Sequence, residues 1–197
     1  MGFPFLTIFL IFLIWLTIMI HRSNAKIDAQ EEKFWENERI ANSTPAKDIS
    51  NLRYITIPIE KFPLNFSNDP DVLDTESKLK ELSQKQLLNL TGKTNTELKM
   101  EYGVPNFEKL SQMGNDFDEA TILLNHYCKA LVEAERYEDA IAILEFAVGI
   151  GTDISESYTL LSQCYKVQNN STKLELLKNQ VEQSNLILKD NILKKIN

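Results

Sequence analysis

Apolar residues crowd the front of the chain and later settle into periodic stripes. Phe3 to Ile20, FPFLTIFLIFLIWLTIMI, is a run of eighteen residues without a charge, in which only Thr7 and Thr17 are mildly polar. At 1.5 Å per residue such a run makes roughly 27 Å of helix, close to the hydrocarbon thickness of a bilayer. The pattern predicts one membrane-spanning helix, with residues 1–21 as an anchor and the lipid bilayer as its partner.

Ile27 to Ile40, IDAQEEKFWENERI, reads as an exposed helix continuing from the span, and its aromatic pair Phe34 and Trp35 is expected to pack on the domain behind it. Asn42-Ser43-Thr44-Pro45 breaks that helix, so residues 22–51 form a juxtamembrane helix and linker. In Leu52 to Pro63, LRYITIPIEKFP, Ile55, Ile57 and Ile59 alternate with Thr56 and Pro58. Period-two alternation points to a strand, but Pro58 and Pro63 limit it to an edge or an extended arm. With no sheet to join, residues 52–75 are expected to be an arm laid across helices, with Ile55, Ile57 and Ile59 as its buried side.

Leu79, Leu82, Leu87 and Leu90 stand at helical intervals and predict a helix from Glu76 to Leu90. From Phe117 onward Ile122, Leu123, Tyr127, Ala130 and Leu131 form a stripe of period 3.6. Ala134-Glu135-Arg136 is a short connection, and Tyr137 to Val148 carries a second stripe through Ala140, Ile141, Leu144 and Ala147. Gly149, Gly151 and Asp153 end it. The fold class is mostly α: a transmembrane helix, then helical hairpins over residues 76–197, with one extended arm.

Composition narrows the function. A net charge of -7 and a pI near 5.0 argue against nucleic acid as a partner, since phosphate backbones are neutralised by clustered Lys and Arg. A cleaved signal peptide competes with the anchor, because Ser23-Asn24-Ala25 supplies small residues for a peptidase. The amino-terminal flank has no Lys or Arg, however, and the apolar run exceeds the usual signal length of roughly 7–15 residues. Arg22, Lys26 and Lys33 follow the span, so the positive-inside rule places the protein in the cell membrane as a single-pass chain with its C-terminal domain in the cytoplasm. Cys128 and Cys164 lack the spacing of a disulfide framework and read as small buried hydrophobes.

The motifs that suggest chemistry fail on spacing or charge. Gly92-Lys93-Thr94 lacks the P-loop glycine five residues earlier, where Leu87 stands. A helix-turn-helix reader at Thr96 to Tyr102 would carry Glu97 and Glu101 against Lys99, a poor balance beside phosphates. His21 and His126 make no metal pair, and no cofactor, metal site or small-molecule substrate is expected. A Cys and His enzyme built from His126 and Cys164 is the remote alternative.

Leu124, Tyr127, Cys128 and Leu131 recur as Tyr158, Leu161, Ser162 and Tyr165, each 34 residues later. This spacing resembles the tetratricopeptide repeat, with Tyr137, Ala140, Leu144 and Ala147 at the second helix's signature positions. The second copy departs from it, because Leu174 replaces the small contact residue and Lys178 the large apolar one. Since one repeat cannot bury its own face, Gln183 to Ile196 is expected as a capping helix, with the helices from Glu76 on covering the other end. FWENERIAN, LRYITIPIEKFP and NLTGKTNTELKMEYG together look like an uncharacterised family of single-span membrane proteins of clostridial bacteria, which implies no activity.

The repeat resemblance implies an interaction module that holds a peptide or helix of an unknown protein partner. Its groove would be formed by Ile122, Asn125, Lys129 and Val132, with Thr159, Gln163 and Lys166. Asn125 and Lys129, one turn apart, could meet a carboxylate through an amide donor and a charge. The arm, Leu52 to Pro63, is a candidate occupant of that groove at rest. The alternative function is a purely structural, self-associating membrane tether.

Overall fold

The computed structural model describes residues 4–196, so Phe3 of the expected span and the terminal Asn197 lie outside the described residues. It contains eight α-helices among those residues: α1 (Pro4–Ser43), α2 (Pro70–Ser83), α3 (Asn95–Tyr102), α4 (Val104–Glu133), α5 (Tyr137–Gly149), α6 (Ser155–Val167), α7 (Ser171–Gln183) and α8 (Lys189–Ile196). The chain divides into two compact units, Met1–Asp48 with Thr94–Phe107, and Ile49–Lys93 with Glu108–Asn197.

In the first unit α1 joins the apolar run to the expected juxtamembrane helix without a break. It is long and apolar enough to cross a membrane, and its large apolar side chains from Ile8 to Ile20 are all at least 37% exposed. Thr17 satisfies its hydroxyl by donating to the Leu13 carbonyl at 2.8 Å, which suits a polar group in an apolar stretch. The helix stops two residues before Pro45, whose ring disfavours helical geometry in the residue ahead of it.

α3 begins with a capping box. Thr94 accepts from the Glu97 amide while the Glu97 carboxylate accepts from the Thr94 amide at 2.7 Å, so Gly92-Lys93-Thr94 is the lead-in to a helix. Lys99 bonds Asn42 at 2.9 Å, Thr96 bonds Glu38, and Ala41 of α1 is fully buried between those attachments. Within this unit Phe34 and Trp35 are left 53% and 59% exposed, with rings edge-on at 5.3 Å. The eight-residue α3 is bonded at Glu38 and Asn42 and leaves the earlier turns of α1 open.

The second unit starts with the arm. Ile55 and Leu87 exchange both backbone hydrogen bonds, at 2.9 and 2.8 Å, in one isolated antiparallel bridge. This corrects the expected helix from Glu76 to Leu90. Asp69 caps its own helix by accepting from the Asp71 amide, Pro70 occupies the first turn, and α2 ends at Ser83, leaving Leu87 free to pair. The arm is also less uniform than expected. Ile55 and Ile57 are buried, but Ile59 opens a short 3-10 turn to Lys61 and is only half-buried.

The arm then runs over the α4–α5 hairpin. Phe62 meets Phe146 at 6.3 Å, Phe66 meets Tyr127 at 5.3 Å, and Arg136 lies over the Phe66 ring. Glu76, 1% exposed, draws α2 into the same place by accepting from the Tyr127 hydroxyl and the Asn65 amide, both at 2.8 Å. Arm, α2 and hairpin thus share one core.

α4 begins at Val104, well before the expected Phe117, with Pro105 in its first turn where no amide partner is needed. Glu135, at φ 58, reverses the chain into α5, and Gly151, at φ 82, turns it toward α6. The positions related by 34 residues are all buried: Leu124, Tyr127, Cys128 and Leu131 in α4, and Tyr158, Leu161, Ser162 and Tyr165 in α6. In α7 the burial falls on Leu177 and Val181, while Lys178 turns to Glu175. The expected terminal helix is shorter than Gln183 to Ile196. Gln183 ends α7, and α8 packs on α6 through buried Ile192 and Ile196, with the Ser162 hydroxyl donating to the Ile196 carbonyl.

Candidate functional site

The expected groove residues lie on α4 and α6, and polar contacts join the two helices between them. Asn125 is 9% exposed; its amide donates to Glu156 Oε2 at 2.9 Å, and its carbonyl accepts from the Ser157 hydroxyl at 3.0 Å. Lys129 Nζ stands 3.7 Å from Glu156 Oε1. The two residues expected to grasp a carboxylate do so, and the carboxylate belongs to the same chain.

Around this junction the remaining positions separate. Ile122 is 61% exposed, an apolar side chain left open one turn before Asn125. Gln163 and Lys166 are exposed along α6, and Thr159 is half-buried with its hydroxyl bonded to the Ser155 carbonyl. Val132 packs against the core and contributes little open surface. Ile122, Lys129, Gln163 and Lys166 therefore remain as an accessible face, whereas Asn125 serves the α4–α6 contact.

Glu156 was not among the expected site residues. Its acidic type in the first turn of α6 was readable as a helix-dipole preference, but nothing local signalled Asn125, 31 residues earlier in the chain. Nor do the arm's contacts run to this face: Ile55 pairs with Leu87, the Pro63 carbonyl accepts from the Tyr127 hydroxyl, and the Phe62 ring meets Phe146. With Ile57 2% exposed, the arm is a part of the core.

A shallow recess of about 270 Å³ opens between α5, α6 and α7. Glu145 accepts there from Tyr165 at 2.7 Å and from Lys173 at 2.6 Å, beside Leu176, which is 62% exposed. Burial works against the Glu145 charge, but these two donors outweigh it and hold its carboxyl below the ordinary value.

The thiols sit in apolar surroundings. Cys128 and Cys164 are both fully buried. Burial pushes the Cys164 thiol up to about 11, and raises Cys128 further, with Cys164 adding to the effect. These are the surroundings of inert thiols, since the thiolate is the nucleophile. His126 is exposed on α4 with Nδ1 3.2 Å from the Thr75 hydroxyl, and no hydrogen bond links it to Cys164. Among the described residues no cluster of His, Cys, Asp or Glu could hold a metal ion. No known protein family, curated protein or solved structure matches the chain.

Proposed function

We propose that the chain is a single-span membrane protein whose α4–α6 face holds a peptide or helix of a partner protein, an adaptor rather than an enzyme. The observation that carries this reading is the open stripe on two adjoining helices, where exposed Ile122 and Lys129 stand with exposed Gln163 and Lys166. An apolar side chain flanked by one amide and two cations suits a partner segment that is both apolar and acidic. Burial of the four core pairs related by 34 positions, Leu124 with Tyr158 through Leu131 with Tyr165, supports a tetratricopeptide-like pairing of α4–α5 with α6–α7, capped by α8. The exposed apolar half of α1 supports insertion in a bilayer, and Arg22, Lys26 and Lys33 behind it support a cytoplasmic domain.

The test is capture of the full-length protein from detergent-solubilised native membranes, beside a Lys129→Glu, Lys166→Glu variant, with mass spectrometry of what co-purifies. A partner held by the wild type and lost from the variant is the expected result. Equal recovery from both overturns the groove. Self-association is the second reading, favoured by exposed Ile27, Phe34 and Trp35 on α1. Sedimentation that shows a dimer unaffected by the two lysine changes selects it.

A further inference from the structure

The helix leaving the apolar run sorts its charges by side. At 100° per residue, Arg22, Lys26 and Lys33 fall within about 40° of one another around α1. Asp28, Glu31 and Glu32 lie roughly 100° or more from that line, and Glu36 is held by Arg39 at 2.7 Å. Residues 27–40 are acidic in sum, yet they leave one clean cationic edge. No ion pair engages Arg22, Lys26 or Lys33 among the described residues, and all three are exposed.

The same edge continues into the apolar run. Trp15 and Met19 share its azimuth, and Met19, Arg22, Ser23 and Lys26 line one shallow recess of about 610 Å³. Height decides which cations can act together. Counting from Ile20, Arg22 lies about 3 Å beyond the apolar run and Lys26 about 9 Å. The headgroup layer is roughly 5–8 Å thick on each side, and a lysine stem can bend back by several ångström. Lys33, about 20 Å out, lies beyond it.

We infer that Arg22, Ser23 and Lys26 form a seat on α1 for the phosphate of an anionic phospholipid, whose acyl chains lie along Met19 and Trp15. The inference rests on the membrane-anchor reading of α1. Guanidinium and ammonium groups one turn apart offer a phosphate donors from two sides, and Ser23 adds a hydroxyl at the flank of the same recess. The apolar residues below exclude water from one side of the contact. A phosphate ion in solution lacks the chains that would use those residues, so the geometry favours a lipid.

The two tryptophans make the test direct. In a Trp35→Phe background Trp15 is the sole tryptophan, on the azimuth of the seat. The full-length chain is reconstituted in bilayers containing brominated phosphatidylglycerol or brominated phosphatidylcholine, and Trp15 quenching gives the relative occupancy. Each cation near an anionic surface is worth roughly fivefold, so phosphatidylglycerol should be preferred by roughly fivefold or more. Arg22→Gln with Lys26→Gln should bring the ratio close to one, and Lys33→Gln should leave it. A ratio near one in the unaltered chain, or the same ratio in the double variant, overturns the seat. So does an equal loss in Lys33→Gln, or abolition of the preference by millimolar inorganic phosphate. Absence of quenching by either lipid is a different failure: it shows that α1 is not inserted, and removes the anchor reading as well.

Discussion

Asn125 Nδ2 donates to Glu156 Oε2 at 2.9 Å, so the α4 residue best placed to hold a partner's carboxylate holds one from α6. The Asn125 carbonyl meanwhile receives the hydroxyl of Ser157, which is fully buried. One amide thus bonds both of the first residues that α6 presents to α4. The polar cluster therefore acts on the geometry of the accessible face, by fixing α6 against α4, rather than as part of its contact surface.

Asn125→Ala is expected to destabilise the fold by about 1–3 kcal/mol, because it leaves the buried Ser157 hydroxyl without its acceptor. Glu156→Gln keeps an oxygen for the Asn125 amide and loses only the contact with Lys129, where both side chains are half exposed. That change should cost within about 0.5 kcal/mol. Thermal unfolding of the detergent-solubilised full chain, followed by circular dichroism, distinguishes the two; equal midpoints for Asn125→Ala and wild type refute the role given to Asn125.

Legibility in the sequence followed the range of the interaction. α5 was readable almost to the residue because its stripe has period 3.6 and its ends are marked by Ala134-Glu135-Arg136 and by Gly149 and Gly151. The apolar run of α1 was readable for the same local reason. Leu87 and Leu90 were misread as helix, since their spacing fits one and the competing bond to Ile55 comes from 32 residues upstream. The exposure of Phe34 and Trp35 beside α3 was not readable, because side-chain type carries no record of where a short helix stops. The start of α3 carries a local signal, Thr94-x-x-Glu97, the spacing of a capping box. In the candidate site, exposure on a helix face was predictable from periodicity, and the identity of Glu156 as the bound carboxylate was not.

Gly103 tests how tightly α3 is tied to the segment after α1. It has φ 86, and a Cβ there would collide with the Pro45 carbonyl, a backbone group that cannot swing away. The neighbouring bond, Lys47 amide to Tyr102 carbonyl at 3.1 Å, depends on that close approach. Gly103→Ala should cost at least roughly 3 kcal/mol and expose the Lys47 amide to hydrogen exchange. Gly92, at φ 83, has nothing within 4 Å of its Cβ position, so Gly92→Ala carries only the backbone cost of about 1–2 kcal/mol. Equal loss of stability in the two variants would mean that the Pro45 contact is not what confines Gly103.

Glu145 ties three helices together, taking bonds from Tyr165 of α6 and Lys173 of α7. Burial opposes its charge and the two donors overcome it, leaving the carboxyl below its usual 4.5 in the folded chain. A depressed carboxyl contributes stability that is present above the unfolded value, and loses it as pH falls through the folded value. Wild type should therefore lose part of its thermal stability between about pH 5 and pH 3. Glu145→Gln, which cannot ionise, should lie roughly 1–3 °C lower at pH 7 and converge with wild type at pH 3. Lys173 is 47% exposed and Glu145 39%, so added salt should narrow the gap at neutral pH. Parallel pH profiles for the two proteins would place the acid sensitivity in other carboxylates and remove Glu145 as its source.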